Sequence, residues 1–235
     1  MPVPDGARMK LMAFTEAIEF FRDKVDMTPA EYDALVASVG EYANSMAFTV
    51  SRVASADVLQ GMHDAVLKAI QEGTTFWDFR EDVDALMEKL GWEGMAPYRL
   101  DNIYRTNVQT AYSVGRYKQM KNIANRRPYW EYDAVNDSRT RPSHMAQDGK
   151  IYHHTHPFWD TWMVPNGYRC RCKINSLSLE EMEAEGLTES TQGTDLKPDE
   201  GFGFNPAEQK WKPDLNKYSD GLRDQVAQEL EPVFD

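Results

Sequence analysis

The chain has 235 residues, 41% hydrophobic and 11% aromatic, which excludes an intrinsically disordered protein and leaves room for one large domain or two small ones. No apolar stretch approaches the roughly 18 residues of a membrane helix, and the N-terminal residues lack a signal-peptide pattern. We therefore expect a protein of a cytoplasm-like compartment, without membrane contact.

The formal net charge of −12 is distributed unevenly along the chain. Residues 1–97 carry 8 basic and 17 acidic side chains, residues 98–175 carry 13 and 6, and residues 176–235 carry 5 and 15. The middle third is a basic segment between two acidic ones. Such a segment faces either phosphate or the acidic parts of its own or a neighbouring chain, and charge alone does not decide between them.

The first 125 residues predict helices, because apolar residues recur at three- and four-residue spacing and the breaks between them carry capping residues. The sequence Thr28-Pro29-Ala30-Glu31 is a strong helix start, with a hydroxyl N-cap, a proline in the first turn and a glutamate three residues after the cap. Five helices are predicted, over residues 11–25, 29–53, 56–72, 75–90 and 98–125.

The pattern changes after the Arg126-Arg127-Pro128 sequence, where aromatic and polar residues alternate. The predicted elements are a strand at 129–133, a helical piece at 142–147, a strand at 150–152, a loop at 153–168, a strand at 171–177, a helix at 178–186 and a last helix at 222–230. The apolar residues expected to anchor the C-terminal arm, against this chain or another subunit, are Phe202, Phe204, Trp211 and Leu215.

These elements predict an α+β fold. A mainly helical N-terminal region at 1–97 is followed by a long helix and a small α+β module at 98–186, and then by an extended acidic C-terminal arm at 187–235.

Three segments of the middle region carry a recognisable pattern: NDSRTRPSH at 136–144, Asp148-Gly149-Lys150, and PNGYRCRC at 165–172. Further matching pieces are AIEFFR at 17–22, YRTN at 104–107, PFW at 157–159 and GFGFNP at 201–206. In this order they resemble the phage Mu F-like head morphogenesis family, whose members are minor head proteins.

The resemblance implies a non-enzymatic protein that acts in head morphogenesis and is present in a few copies per particle. It implies a location in the virion, in the head interior or at the portal vertex, and in the host cytoplasm during assembly. The implied partners are the portal protein and other head proteins. Non-specific contact with packaged double-stranded DNA is left open.

Two cysteines with a nearby histidine are the usual ligands of a structural zinc ion, and the candidates here are His144, Cys170 and Cys172. The alternative is that the two cysteines, one residue apart on a strand, lie on the same face and pack as small hydrophobic residues. A disulfide between such close neighbours would be strained.

A tetrahedral zinc site needs a fourth ligand, which the motif does not supply. In the family that the chain resembles, a Cys-x-x-Cys arrangement is common, and its two positions match Arg141 and His144 of this sequence. This sequence therefore lacks the first cysteine of that arrangement, because Arg141 stands in its place. The loop histidines that remain as possible donors, or as ordinary surface residues, are His153, His154 and His156.

Asp137 beside Arg139 invites a catalytic interpretation, because carboxylates beside basic groups occur in phosphodiester chemistry. A second carboxylate at useful spacing is missing, however. We favour an Asx-type turn in which Asp137 accepts backbone hydrogen bonds and Arg139 pairs with it. No residue is predicted to be catalytic.

The candidate phosphate contacts are the six arginines Arg126, Arg127, Arg139, Arg141, Arg169 and Arg171. Aromatic residues lie between them, and stacking on bases is one possible role for Tyr129, Trp130 and Tyr168. An alternating strand normally buries one of its faces, so we expect Trp130 and Tyr132 to belong to the core instead.

Two other functional classes compete with the head-protein hypothesis. A nuclease-like effector, or a metal-dependent nucleic-acid-processing protein, would use the His, Asp and Arg residues of the motif, but the acidic residues after Gly186 do not predict a second enzyme core. A free-standing DNA-binding regulator would require a groove-reading helix, and no helix here is rich in base-contacting side chains.

Overall fold

The structure, a computed structural model, describes residues 14–208. Two short parallel strands and six helices make up its first half, with bounds α1 Thr15–Arg22, β1 Val25–Asp26, α2 Pro29–Val39, α3 Ala43–Met46, β2 Ala47–Phe48, α4 Ala56–Glu72, α5 Phe76–Lys89 and α6 Pro97–Asn122. The second half contains β3 Tyr129–Asp133, α7 Pro142–Met145, β4 Ile151–His153, α8 Phe158–Thr161, β5 Lys173–Leu177 and α9 Leu179–Glu185. The predicted α+β class is confirmed.

The predicted helix over 29–53 is wrong beyond Val39. Its start is confirmed, because Thr28 and Glu31 form the reciprocal capping hydrogen bonds at the N-terminus of α2. Gly40 then adopts φ +64° and ψ −145°, a conformation that ends a helix and favours glycine. A 3₁₀ turn over Gly40–Tyr42, α3 and β2 follow.

The first predicted helix is also shorter than expected, since α1 ends at Arg22. Val25, assigned to its apolar stripe, is 57% exposed and pairs with Ala47 in the small parallel sheet. Leu11 of that stripe lies outside the described residues. Residues 14–125 contain six α-helices, one more than the predicted count of five.

The three helices predicted after these are confirmed, with ends shifted by at most three residues. Ser55 caps α4, and Gly73 follows it in the left-handed conformation. Thr75 and Asp78 form a second reciprocal cap at the start of α5. The helix α6 is the longest, at 26 residues.

Helix α6 belongs to both hydrophobic cores of the described chain. Leu100 and Ala111 pack with α1, α4 and α5, whereas Tyr117 and Met120 pack with the aromatic residues of the second half. The domain division at 97/98 and 186/187 stays a prediction, and α6 is the element that both sides would share.

Gly115 lets α1 approach α6 closely. A Cβ atom at this position would lie 2.6 Å from Phe14 Cζ and 3.0 Å from the backbone nitrogen of Ala17. An alanine here would therefore push the two helices apart.

The second core is built on a three-stranded antiparallel sheet with the order β4-β3-β5. Trp130 and Tyr132 of the central strand are fully buried, so the prediction that they belong to the core is confirmed. In register, Trp130 lies opposite Tyr152 on one side and Ser176 on the other.

The smaller elements of this half differ in detail from the prediction. The strand β4 begins at Ile151, one residue later than expected, and β5 begins at Lys173, two residues later than expected. The predicted loop at 153–168 contains the short helix α8. The expected helix at 222–230 lies outside the described residues.

The described part of the C-terminal arm, residues 187–208, contains turns but no helix or strand. Phe204 packs on Tyr42, and Phe202 packs edge-to-face on Tyr168, so these two anchors contact their own chain. Trp211 and Leu215 lie outside the described residues. Among the helices described, none is both long and apolar enough to cross a membrane.

Candidate metal centre and arginine groove

His144 is held by α7 with its ring oriented towards the two cysteines. The side chain is buried, and Nε2 lies 3.2 Å from the carbonyl oxygen of Asn166. Because a carbonyl only accepts, Nε2 carries the proton and Nδ1 is left with a free lone pair. Nδ1 lies 3.6 Å from Cys172 Sγ and 3.8 Å from Cys170 Sγ.

Cys170 and Cys172 alternate on the extended segment before β5, so both sulfurs point to the same side. Both side chains are buried, and the three candidate ligand atoms lie within 4.8 Å of one another. Tetrahedral zinc with these ligands requires separations of about 3.5–3.8 Å. The donor set therefore fits a soft divalent cation, and the three residues that the motif singled out lie together.

The two thiols differ in their preferred protonation state. A hydrogen bond from Cys170, against the effect of burial, lowers the pKa of Cys172. The same hydrogen bond and burial raise the pKa of Cys170. The pair therefore favours one thiolate, at Cys172, which is the form that binds metals.

The described residues supply three clustered donors and not four. Arg141, at the position of the missing cysteine, pairs with Asp199 at 2.9 Å and donates to the carbonyl of Tyr168. The loop histidines are engaged elsewhere: His153 with Thr155, His154 beside Trp130, and His156 stacked on Tyr152.

Asp137 organises the turn that precedes α7. Its carboxylate accepts the backbone N–H of Arg139 at 3.0 Å, which is the Asx turn that the sequence predicts. The main partner is Arg171, whose two terminal nitrogens donate to the two carboxylate oxygens at 2.6 and 2.7 Å. These hydrogen bonds hold the pKa of Asp137 well below its usual range.

Four of the six candidate arginines line one groove of about 850 Å³ beside α6. We call this surface the arginine groove. It is lined by Asp101, Tyr104, Arg105, Val108, Gln109, Tyr112, Arg139, Arg141, Tyr168, Arg169, Cys170 and Arg171.

Each of these arginines faces a carboxylate of its own chain. Asp101 pairs with both Arg105 and Arg169, and Asp137 pairs with both Arg139 and Arg171. Internal pairing, one of the two alternatives for the basic segment, is therefore present for all of the arginines in the groove.

Arg126 and Arg127 lie apart from the groove, beside α9. Arg127 pairs with Glu181 at 2.7 Å and donates to the backbone of Ser176. The structure therefore does not gather the six candidate phosphate contacts on one surface.

Asn166 and Gly167 are site residues that the sequence reasoning missed. Asn166 is fully buried, accepts from the Tyr132 hydroxyl at 2.9 Å and accepts at its carbonyl from Asp199 N at 3.0 Å as well as from His144. A Cβ at Gly167 would lie 2.4 Å from Asp199 Oδ2. The Asn-Gly pair is a turn signal, but its contacts with residues so distant in the chain are not visible in the sequence.

The model of the family described as Phage Mu protein F like protein matches residues 60–175. The putative capsid assembly protein F of Escherichia phage Mu is 35% identical over 212 residues, which cover 80% of this chain and 47% of that protein. The Mu-like prophage FluMu F protein of Haemophilus influenzae is 38% identical over 172 residues, covering 68% of this chain and 42% of that protein. The chain spans less than half the length of these two relatives, and no solved structure matches it.

Proposed function

The chain belongs to the phage Mu F-like head morphogenesis family, and from this premise we propose that it is a minor head protein that acts at the portal vertex during head assembly. The observation that carries the proposal is the family match over 60–175, which contains both halves of the motif around His144 and Cys172. The two relatives, which are named for capsid assembly or as a prophage F protein, support the same role.

The motif acts, in this proposal, as a scaffold and not as a catalyst. The carboxylate of Asp137, its best candidate for acid–base chemistry, is engaged by Arg171, Thr140 and a backbone amide. A catalytic carboxylate must instead be free to contact substrate. Side chains that are fixed in this way are suited to form a rigid surface that contacts the portal protein and other head proteins.

We infer that His144, Cys170 and Cys172 hold a zinc ion. A bound zinc would cross-link α7 to the segment before β5 and stabilise the fold, as structural zinc does in small modules. Because Arg169 and Arg171 alternate with the two cysteines, fixing the sulfurs would also fix the direction of these arginines into the arginine groove.

The proposal extends to contact between the arginine groove and packaged DNA. The groove holds five arginines, at 105, 139, 141, 169 and 171, against the carboxylates of Asp101, Asp137 and Asp199, which leaves an excess of positive charge. Arg139 is also highly exposed, with 79% of its side chain accessible. Phosphate contacts of this kind carry no sequence preference.

If the arginine groove contacts DNA, the affinity of the chain for DNA should fall steeply between about 50 and 200 mM salt. The double variant R139A/R169A should bind DNA less tightly than the parent at low salt. The control Arg52→Ala, outside the groove, should bind DNA as tightly as the parent. Binding that is absent at low salt, or insensitive to salt, would contradict the DNA contact while leaving the head-protein role intact.

Imaging without imposed symmetry, on particles of the phage that produces this chain, tests the main proposal. We expect density for the chain beside the portal, in few copies. Absence of the chain from both procapsids and mature particles would contradict it. Cleavage of nucleic acid by the purified chain, lost on Asp137→Asn or His144→Ala, would support the nuclease alternative instead.

A further inference from the structure

A second cavity, of about 600 Å³, lies on another face of α6 from the arginine groove. Its walls come from four parts of the chain: the region from Lys24 to Ser51, the face of α6 that contains Thr106, the loop residues Pro165 and Tyr168, and the arm residues 200–206. We call it the Lys24 cavity. Its volume is typical of ligand sites, which range from about 300 to 1,000 Å³.

The wall formed by α6 is mostly polar. The residues facing the cavity follow helical spacing and are Arg99, Asn102, Ile103, Thr106, Asn107 and Thr110. A helix face enclosed by other elements is normally apolar. Five polar residues of six indicate that this face serves polar contents and not packing.

Two hydroxyl groups of the cavity residues lack a hydrogen-bond partner. Thr49 Oγ1 and Thr106 Oγ1 are buried, and neither contacts a donor or acceptor in the described chain. The neighbouring Thr110, in contrast, donates to the carbonyl of Thr106 at 2.7 Å. Buried polar groups are nearly always paired, so these two hydroxyls have unused capacity for a ligand.

Lys24 places a cation in the same wall. Its side chain is 8% exposed, and its ammonium group donates to the carbonyl of Asn44 and, at 3.5 Å, to that of Ala47. The ammonium group also lies 5.1 Å from the centre of the Phe20 ring, and of its three N–H donors one has no hydrogen-bond acceptor in the described chain. Within residues 14–208 no carboxylate forms an ion pair with it, and burial lowers the pKa of Lys24 to about 7.

Arg99, which is only partly buried, donates through its guanidinium to the carbonyl of Ser51 and forms no ion pair in the described chain. The two acidic residues of the lining, Asp33 and Glu200, are both exposed. The buried part of the cavity therefore offers the Lys24 cation and hydroxyl groups, and the acidic residues of its lining lie outside that part.

We propose that the Lys24 cavity binds a carboxylate group, with Lys24 as its counter-ion and the hydroxyls of Thr49 and Thr106 as further hydrogen-bond donors. A carboxylate would neutralise a cation that burial otherwise disfavours, and it would use donors that have no partner. Its source is either the acidic side chain of a peptide segment or a free small carboxylate.

The volume and the aromatic walls favour the peptide source. Phe48, Tyr168 and Phe202 line the cavity beside its polar groups, which suits a main chain with side chains better than a small ion. Two segments outside the central motif, 104–107 and 201–206, meet at this cavity, and neither has a role in the proposed zinc site. The inference does not depend on the proposed function.

The test is a chemical-shift titration of the ¹⁵N-labelled full chain with three probes at constant ionic strength. The probes are acetyl-Gly-Glu-Gly-Gly-amide, the same peptide with Gln for Glu, and N-acetylglutamate amide. We expect the Glu peptide to shift the Thr49 and Thr106 amide signals and to bind about tenfold more tightly than the Gln peptide, as a charge-assisted hydrogen bond provides.

Equal binding of the free amino-acid derivative and the Glu peptide would assign the site to small carboxylates. Equal binding of the Glu and Gln peptides, or no shift with any probe, would overturn the proposal.

Two substitutions separate binding from folding. Lys24→Met keeps the apolar stem and should abolish the preference for the Glu peptide, whereas the matched change Lys89→Met, on the exposed end of α5, should leave it unchanged. Thr106→Val removes one unpartnered hydroxyl and should weaken binding about fivefold without destabilising the free chain, and Thr106→Ser should retain binding. A Thr106→Val chain that binds like the parent, together with a folded Lys24→Met chain that still prefers the Glu peptide, would sink the inference.

Discussion

The arginine groove and the Lys24 cavity lie against two faces of the same helix, α6, and both contain basic side chains. In the groove, Arg105, Arg169 and their neighbours each pair with an aspartate of the same chain. In the cavity, Lys24 and Arg99 donate to backbone carbonyls and form no ion pair within the described residues. The difference teaches that a count of basic residues does not locate a binding site. A cation that is already paired supports the fold, whereas a buried cation without a counter-ion has capacity for a ligand.

The largest effect that separates the two regions is expected from metal removal. If zinc is held behind the groove, chelation should cost several kcal/mol of stability, because the metal's binding energy is then part of the folding energy. His144→Ala should have the same effect, and His153→Ala, in the adjoining loop, should not. Elemental analysis and thermal unfolding of the full chain are the measurements. Less than about half an equivalent of zinc, with no change in Tm in chelator, would rule the metal out.

The second effect is a gain of stability on Lys24→Met. Removing a buried cation without a counter-ion should stabilise the chain by several kcal/mol near pH 6. The folded chain releases the Lys24 proton near pH 7 and the unfolded chain near 10.5, so the unfolded state holds more protons between these values. Parental stability therefore rises with pH across this window, and the advantage of the variant should disappear towards pH 10.5. Denaturant unfolding of the parent and the variant at several pH values measures the parental stability and the advantage of the variant. A constant difference at every pH would contradict the assignment.

In the arginine groove, the removal of a cation should decrease stability instead of increasing it. Arg171→Met should lower the Tm by a few degrees. The variant leaves Asp137 without its bidentate partner and frees the turn before α7. Arg139→Met is a matched control, because Arg139 contacts the same carboxylate at 3.5 Å but is mostly exposed. Equal effects of the two substitutions would show that the turn does not depend on the bidentate pair.

The smallest effect concerns the arm that closes the Lys24 cavity. Glu41 accepts the backbone N–H groups of Gly201 at 2.9 Å and Gly203 at 3.1 Å through its two carboxylate oxygens. Glu41→Gln replaces one acceptor by a donor and should cost about 1 kcal/mol. Hydrogen exchange should become faster at these two glycine amides and not in α5. Unchanged exchange there would mean that the aromatic contacts of Phe202 and Phe204 hold the arm alone.

Several features could be predicted from the sequence because local chemistry produces them. The caps at Thr28, Thr75 and Ser178 and the Asx turn at Asp137 all join residues within three positions of each other. The alternation that buries Trp130 and Tyr132 is equally local, as is the common direction of Cys170 and Cys172. The family resemblance likewise follows from short ordered motifs.

Only the tertiary structure decided where the paired charges lie and which surfaces stay open. The ion pair of Arg141 with Asp199 and the hydrogen bonds of Glu41 with the arm join residues far apart in the chain, so no periodicity indicates them. The break at Gly40 was missed because apolar spacing continues through it, whereas its backbone turns to reach β1. The polar face of α6 can be read from the sequence. That it faces a cavity, beside a lysine without a counter-ion, depends on how distant elements pack.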